Sequence, residues 1–298
     1  MFVRLSNKTT SRDGATKYLW ALEDGNSIES VFLEHQDKLC VCLSTQVGCV
    51  LARSGMGCKF CASTQDDFVR NLTSAEITGQ GYGVLADLRK EREHLTLDRI
   101  MFMGIGEPLL NYRALVESVR HFMRSKCLNR TRILVSTVGI VPRVCELALE
   151  ELPIELWISL HAPDDATRDQ IVPMNGLYPI GDVLRAAEEY AHTRDQVVRV
   201  NYTLIRDVND SLDHANQLAA LMVNRPFRLQ IAHFNVWPGS RYAASSFSST
   251  KRFLELLRKR GIKAEYFRSK GRDVMAACGQ LRRHYASPSC VPMVEAAR

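Results

Sequence analysis

The stretch Cys40-Val41-Cys42-Leu43-Ser44-Thr45-Gln46-Val47-Gly48-Cys49-Val50-Leu51-Ala52-Arg53-Ser54-Gly55-Met56-Gly57-Cys58-Lys59-Phe60-Cys61 holds five of the chain's nine cysteines. Cys49, Cys58 and Cys61 close on a C-x2-C pair, with Phe60 just before the last thiol. Gly48, Ser54, Gly55 and Gly57 suit a loop that folds back on itself rather than a helix or strand. Such a loop gathers three thiolates at one soft metal centre, and three ligands on a four-iron cluster leave one iron open. Cys40 and Cys42 with Cys58 and Cys61 equally suit a four-cysteine zinc site. Free cysteines also serve as small, inert apolar residues. Spacing alone leaves all three readings standing.

Upstream, residues 16–43 alternate apolar and polar, with the turn signal Glu23-Asp24-Gly25-Asn26 between the first two runs. They predict a small β meander leading into the cysteine loop. Downstream, Thr73-Ser74-Ala75-Glu76 predicts a capping box that opens a helix to about Lys90. Strands are then expected at 97–104, 132–137, 154–161, 197–205, 228–235 and 262–267. Between them, helices are expected at about 112–125, after Val141 with Pro142 in the first turn, and at 178–193, 211–223 and 249–260. This βα rhythm implies an α/β fold with a parallel sheet, and the number of repeats suits an open or closed barrel more than a sandwich. The expected organisation is one unit, with residues 1–45 as a β leader packed on a core of 46–298.

Barrel chemistry sits at the carboxyl ends of strands. Gly104-Ile105-Gly106-Glu107-Pro108, Ser136-Thr137, Ser159-Leu160-His161 and Asn235 fall there. Gly106 allows a ligand close to the backbone, and Glu107 can accept hydrogen bonds from an ammonium group. Each of these also has a plain reading, as a strand-end turn or a satisfied histidine. Cys278 follows the basic loop Arg268-Ser269-Lys270-Gly271-Arg272. Nearby cations would lower its pKa and make it a nucleophile; the alternative is a buried thiol after a solvated loop. Cys127, Cys145 and Cys290 have no partner pattern.

The chain has 298 residues, 46% hydrophobic and 24% charged, with a net charge of +6. That is the composition of a soluble globular protein with room for a sizeable core. A mildly basic balance permits a polyanionic partner such as RNA. Met1 to Gly14 has no apolar core flanked by basic residues, and no later run has the length of a membrane span. Nine cysteines without an export signal argue for a reducing compartment, the cytoplasm, where they are ligands or nucleophiles.

Taken together, these segments resemble the radical-SAM adenine RNA methyltransferases, the RlmN and Cfr family. The matching stretches are C-L-S-T-Q-V-G-C (42–49), C-K-F-C (58–61), F-V-R-N-L-T (68–73), M-G-I-G-E-P-L-L-N (103–111), S-T-V-G-I-V-P-R (136–143), I-S-L-H-A-P-D-D-A-T-R-D (158–169) and A-A-C-G-Q-L (276–281). They lie in collinear order from about Tyr18 to Arg283. The resemblance implies a partial (β/α)6-type radical-SAM barrel in which Cys49, Cys58 and Cys61 hold a [4Fe-4S] cluster that binds S-adenosyl-L-methionine. It implies that Gly106, Glu107, Ser136, Ser159, Leu160, His161 and Asn235 line that cofactor's site. Cys278 resembles the methyl-carrying cysteine, Cys42 the resolving cysteine that ends turnover in a disulfide, and Glu29 the proton acceptor. The expected product is an adenine methylated at C2 in 23S ribosomal RNA, with tRNA as a further substrate. A reducing protein such as flavodoxin or ferredoxin is the expected electron donor, and the enzyme is expected to act as a monomer without a membrane.

The chain departs from the family pattern in three places. The first cluster gap is x8 rather than x3, as though five residues were inserted around Leu51 to Gly55. The family's amino-terminal helical domain is not matched, and Asp66-Asp67 brings negative charge toward the site. These departures keep two alternatives in view: a radical-SAM methyltransferase of a non-RNA substrate, and a non-catalytic iron–sulfur or zinc protein.

Overall fold

The computed structural model describes residues 3–128 and 130–282; Cys290 lies outside them. β1 (Val3–Thr10), β2 (Thr16–Leu22), β3 (Ser27–His35) and β4 (Lys38–Cys42) form an antiparallel meander. In β2 the two-residue period puts Thr16, Tyr18, Trp20 and Leu22 on one buried face. The turn at 23–26 closes as its residues predict, with Gly25 at φ 82° and Leu22 N donating to Asn26 O at 2.9 Å. β1 is an addition to the sequence reading. Only its Val3 is buried, so this polar edge strand carries no alternation to read.

The cysteine loop follows through β5 (Gln46–Val47), one helical turn α1 (Val50–Arg53) and β6 (Arg70–Asn71), with β5 and β6 paired. The remaining elements alternate: α2 (Ser74–Arg89), β7 (Arg99–Phe102), α3 (Tyr112–Arg124), β8 (Arg132–Thr137) and α4 (Val141–Leu149). Then come β9 (Ile154–Ser159), α5 (Asp165–Ile171), α6 (Ile180–Arg194), β10 (Val198–Leu204), α7 (Leu212–Met222), β11 (Phe227–His233), α8 (Phe247–Lys259) and β12 (Ala264–Phe267).

β4 and β7 to β12 stand side by side in chain order, all parallel. A doubly wound sheet would reverse its order at a switch point; this one does not, which is the winding of a barrel. The barrel stays open, since among the described residues β12 pairs only with β11 and β1 only with β2. β4 has two duties. It ends the meander and, in register with β7 (Cys42 opposite Met101), begins the barrel. That puts Cys42 at a strand's carboxyl end, where the loops converge.

The capping box forms as predicted: Glu76 N donates to Thr73 Oγ1 at 3.2 Å and Thr73 N to Glu76 Oε2 at 2.8 Å. Arg70 adds a two-pronged bond to the Glu76 carboxylate, 2.9 and 2.8 Å, and so ties β6 to the helix start. Thr73→Ala is expected to cost about 1 kcal/mol of stability. A chemical-denaturation midpoint equal to the parent's would contradict this role for the cap.

Candidate active site at the mouth of the barrel

Residues 43–47 bind two neighbouring loops together. Thr45 N and Gln46 N both donate to Ile105 O, at 2.9 and 3.2 Å. Gln46 Oε1 accepts from Glu107 N at 3.0 Å and from Val50 N at 3.1 Å. One buried amide therefore fixes both the G-I-G-E turn and the start of the cysteine loop. The glycines of that turn are required by contact. A Cβ on Gly104 would stand 2.7 Å from the Leu43 carbonyl carbon and oxygen, and Gly106 has φ 107° with Gln46 packed beside it.

The residues between Cys49 and Cys58 correct the expectation of an irregular loop. Val50–Arg53 form a helical turn, with Ala52 N donating to Cys49 O at 2.9 Å, and Ser54–Gly57 turn the chain back. Thr64 Oγ1 donates to the carbonyls of Cys58 and Cys61, at 2.7 and 2.9 Å. Cys49 and Cys58 are buried and Cys61 half-buried. Burial raises all three thiols, Cys49 to about 12; Cys49 and Cys58 are raised further by the neighbouring thiols of the trio.

Among the described residues, no three Cys, His, Asp or Glu side chains converge closely enough to share one metal ion. Three thiolates on a four-iron cube bind three different irons and stand farther apart. Cys49, Cys58 and Cys61, soft donors largely withdrawn from water, are of the type such a cube takes.

Glu107 is 3% exposed, and its carboxylate accepts from Leu109 N at 3.0 Å and Val138 N at 2.9 Å. Burial nevertheless pushes its pKa up to about 7. Ser136 and Ser159 stand with their hydroxyls 3.2 Å apart. His161 is held at φ 61°, and its Nδ1 accepts from Thr203 N at 3.1 Å. Burial lowers its pKa to about 3, leaving a neutral ring with the proton on Nε2, edge-on to Phe60 at 5.0 Å. Leu160 is fully buried beneath them. Asn235 donates through Nδ2 to Ser269 Oγ and Cys278 O, both at 3.0 Å. Its buried Oδ1 has no partner among the described residues.

The chain's far end folds onto the cysteine loop. Ala62 N donates to Gly279 O at 2.8 Å, Ser63 Oγ to Leu281 O at 2.7 Å, and Trp237 Nε1 to Phe60 O at 3.0 Å. Cys278 is reached by solvent at this junction. The protein packed around it still raises its thiol, and the Cys61 thiol raises it further. In turn Cys278 raises Cys42, whose larger perturbation is burial. The basic loop does not lower Cys278: burial and the Cys61 thiol raise it, and Lys270 Nζ donates to Glu34 O at 2.7 Å. This corrects the reading of a thiol activated by nearby cations. The eight described cysteines are free thiols, and burial favours the neutral thiol at Cys42.

Glu29 is fully buried, paired with Lys17 Nζ at 2.9 Å and accepting from Arg282 N at 3.0 Å. The negative charge expected at Asp66 is neutralised by Arg282, whose Nε lies 3.0 and 3.2 Å from its two oxygens.

Sequence reading missed Gln46, Lys17 and Arg282, and also Asn201. Asn201 sits on β10 opposite Ser159 on β9 and Gln230 on β11, and its Oδ1 is buried without a partner among the described residues. The available signal was a lone amide in the apolar run V-R-V-N-Y-T-L.

No family model matches the chain. Spore photoproduct lyase shares the fold alone, with TM-score 0.53 and 10% identity, covering 79% of each chain. A radical SAM methyltransferase from Sphaerobacter thermophilus is similar in sequence as well, 36% identical with TM-score 0.87, covering 94% of this chain and 81% of that one. The class that fold and site define is therefore the radical-SAM methyltransferases, which implies a [4Fe-4S] cluster and S-adenosylmethionine as cofactors. Relatives bearing the name "Probable dual-specificity RNA methyltransferase RlmN" are closely similar. That of Thermotoga maritima is 42% identical over 285 residues, 94% of this chain and 80% of its own length. That of Salinispora tropica is 41% identical over 277 residues, 90% and 73% of the two chains. The chain belongs to the RlmN family of RNA methyltransferases.

Gly104→Ala is expected to destabilise the protein by about 1–3 kcal/mol, because the new methyl overlaps backbone rather than a yielding side chain. Denaturant titration measures it; an unchanged midpoint would mean that residues 43–46 and 104–107 are not in contact.

Proposed function

We propose that this chain methylates a carbon of adenine in RNA, C2 of a 23S ribosomal adenine with a tRNA adenine as second target, and that Cys278 carries the methyl group. The supporting observation is the meeting of Cys278 with Cys42 and Cys61 at the barrel mouth, where the thiols perturb one another. A hydrogen-abstracting enzyme without a carrier would need neither Cys42 nor Cys278.

Carbon 2 of adenine, between two ring nitrogens, is a poor nucleophile, so direct polar methyl transfer to it faces a high barrier. The cluster and S-adenosylmethionine, when bound, supply radical chemistry that makes this carbon reactive. Cys49, Cys58 and Cys61 would hold the cluster, and Glu107, beside Gly106, the cofactor's ammonium. Ser136, Ser159, Leu160, His161 and Asn235 would line the rest, with His161 Nε2–H and Asn235 Oδ1 as the free donor and acceptor.

Cys278 Sγ would take a methyl group by displacement on a first S-adenosylmethionine, whose sulfur leaves as a neutral thioether while the thiol proton passes to solvent; a sulfonium charge beside the thiol favours the thiolate. Once that methyl group has given up a hydrogen atom and its carbon has joined adenine, the adduct would lose one electron to the cluster and a proton to Glu29, with Lys17 at 2.9 Å balancing its charge. Cys42, as thiolate, would then attack Cys278 Sγ; the sulfur–carbon bond breaks with its electron pair on the carbon, which takes up a proton to become the new methyl group as the disulfide forms. The adenine must leave its stack to reach the mouth, and a net charge of +6 suits a polyanionic substrate. A flavodoxin or ferredoxin would supply electrons to a cytoplasmic monomer.

Cys278→Ala is expected to abolish methylation, whereas Cys42→Ala accumulates a covalent protein–RNA adduct, both read by mass spectrometry; full activity in either variant removes that residue from the mechanism. Cofactor affinity should fall as the pH drops through about 7, where Glu107 takes up the proton that an ammonium must replace. Calorimetric binding that is flat across this range would remove Glu107 from the contact.

A further inference from the structure

Arg168, on α5, is 0% exposed. Its guanidinium donates to Leu160 O at 3.1 Å, Asn175 Oδ1 at 3.0 Å, Tyr178 O at 3.1 Å, Val138 O at 2.6 Å and Ser159 O at 3.5 Å. Every acceptor is neutral, and among the described residues no carboxylate lies within ion-pair distance of it. The acids of its own helix are engaged elsewhere: Asp165 Oδ1 with Ile180 N at 2.8 Å, Asp169 Oδ1 with Asn175 Nδ2 at 2.9 Å. Asp164 caps the same helix through Thr167 N at 2.8 Å.

A fully buried, unpaired cation is among the costliest groups a fold can hold, and a neutral donor could serve the same carbonyls without that cost. The charge itself therefore needs an explanation, and the cysteine loop offers one. Lys59 N donates to Ile171 O at 2.9 Å, which pins Cys58 to Cys61 against the helix that carries Arg168. Burial lowers Arg168 to about 10, and the Cys58 sulfur, ahead of Asp165 and Asp169, opposes that fall.

We propose that Arg168 is the buried counter-ion of the cluster, a positioning residue that favours its reduced state. The inference rests on the cluster assignment to Cys49, Cys58 and Cys61. A cube held by three thiolates is anionic, and one-electron reduction makes it more so. A fixed cation in a low-dielectric setting stabilises the reduced form more than the oxidised form. Three of the five bonds hold the carbonyls of Val138, Ser159 and Leu160, so one side chain shapes the cofactor pocket and sets the charge beneath it.

The test is redox titration of the anaerobically reconstituted protein with dithionite as one-electron reductant, followed by the paramagnetic signal of the reduced cluster. Arg168→Gln is expected to lower the ratio of reduced to oxidised cluster at least tenfold at a fixed potential, a shift of about 59 mV. Arg168→Lys, which keeps the charge, should remain within threefold of the parent. An unchanged ratio in Arg168→Gln overturns the proposal, as does a tenfold fall in Arg168→Lys; should the glutamine variant not fold, the lysine variant still decides. If no iron is incorporated into the parent, the cluster assignment itself fails, an outcome distinct from a cluster with an unmoved potential.

Discussion

Ser63 Oγ donates to Leu281 O at 2.7 Å across 218 residues of chain, and the rest of the site depends on that junction. With the Ala62–Gly279 and Trp237–Phe60 bonds beside it, the contact brings a loop from the start of the barrel against a segment beyond its last strand. An open barrel makes this feasible, since a closed sheet would leave no gap for the terminal segment to enter. Arg282 completes the closure by giving its amide to Glu29 and its side chain to Asp66. Meander, cysteine loop and terminal segment thereby become three walls of one mouth.

The five extra residues of the cysteine loop are absorbed at small cost. Doubling a loop adds about 0.6 kcal/mol of closure entropy. One helical turn over Val50–Arg53 takes up most of the added length, and the Gln46 amide anchors where it starts. The spacing that separates this chain from the usual family pattern is thus compatible with three thiols facing one centre.

The fold was largely legible because parallel strands covered on both faces read as apolar runs. The strand expected at 132–137 coincides with β8, and Pro142 opens α4 as read. β1 escaped because a polar edge strand with one buried residue has no period. α1 escaped because its helical turn is set by contacts from Gln46 and not by its own propensity. In the site, the cysteines and strand-end residues were visible as motifs. Gln46, Asn201 and Arg168 were not, because each is a polar residue buried by tertiary contacts in a segment whose local pattern is apolar or helical. The basic loop before Cys278 misled for the converse reason: sequence proximity promised a charge effect that side-chain direction and desolvation cancel.

The trio Cys49, Cys58 and Cys61 and the terminal Cys278 should share one cavity around an iron centre, which diffraction from the anaerobically reconstituted protein at the iron absorption edge would locate. One anomalous peak bounded by those three sulfurs is expected, with an unligated corner turned toward Glu107 and Cys278. A peak at Cys40 and Cys42, or iron bound only at the surface, would rule this arrangement out.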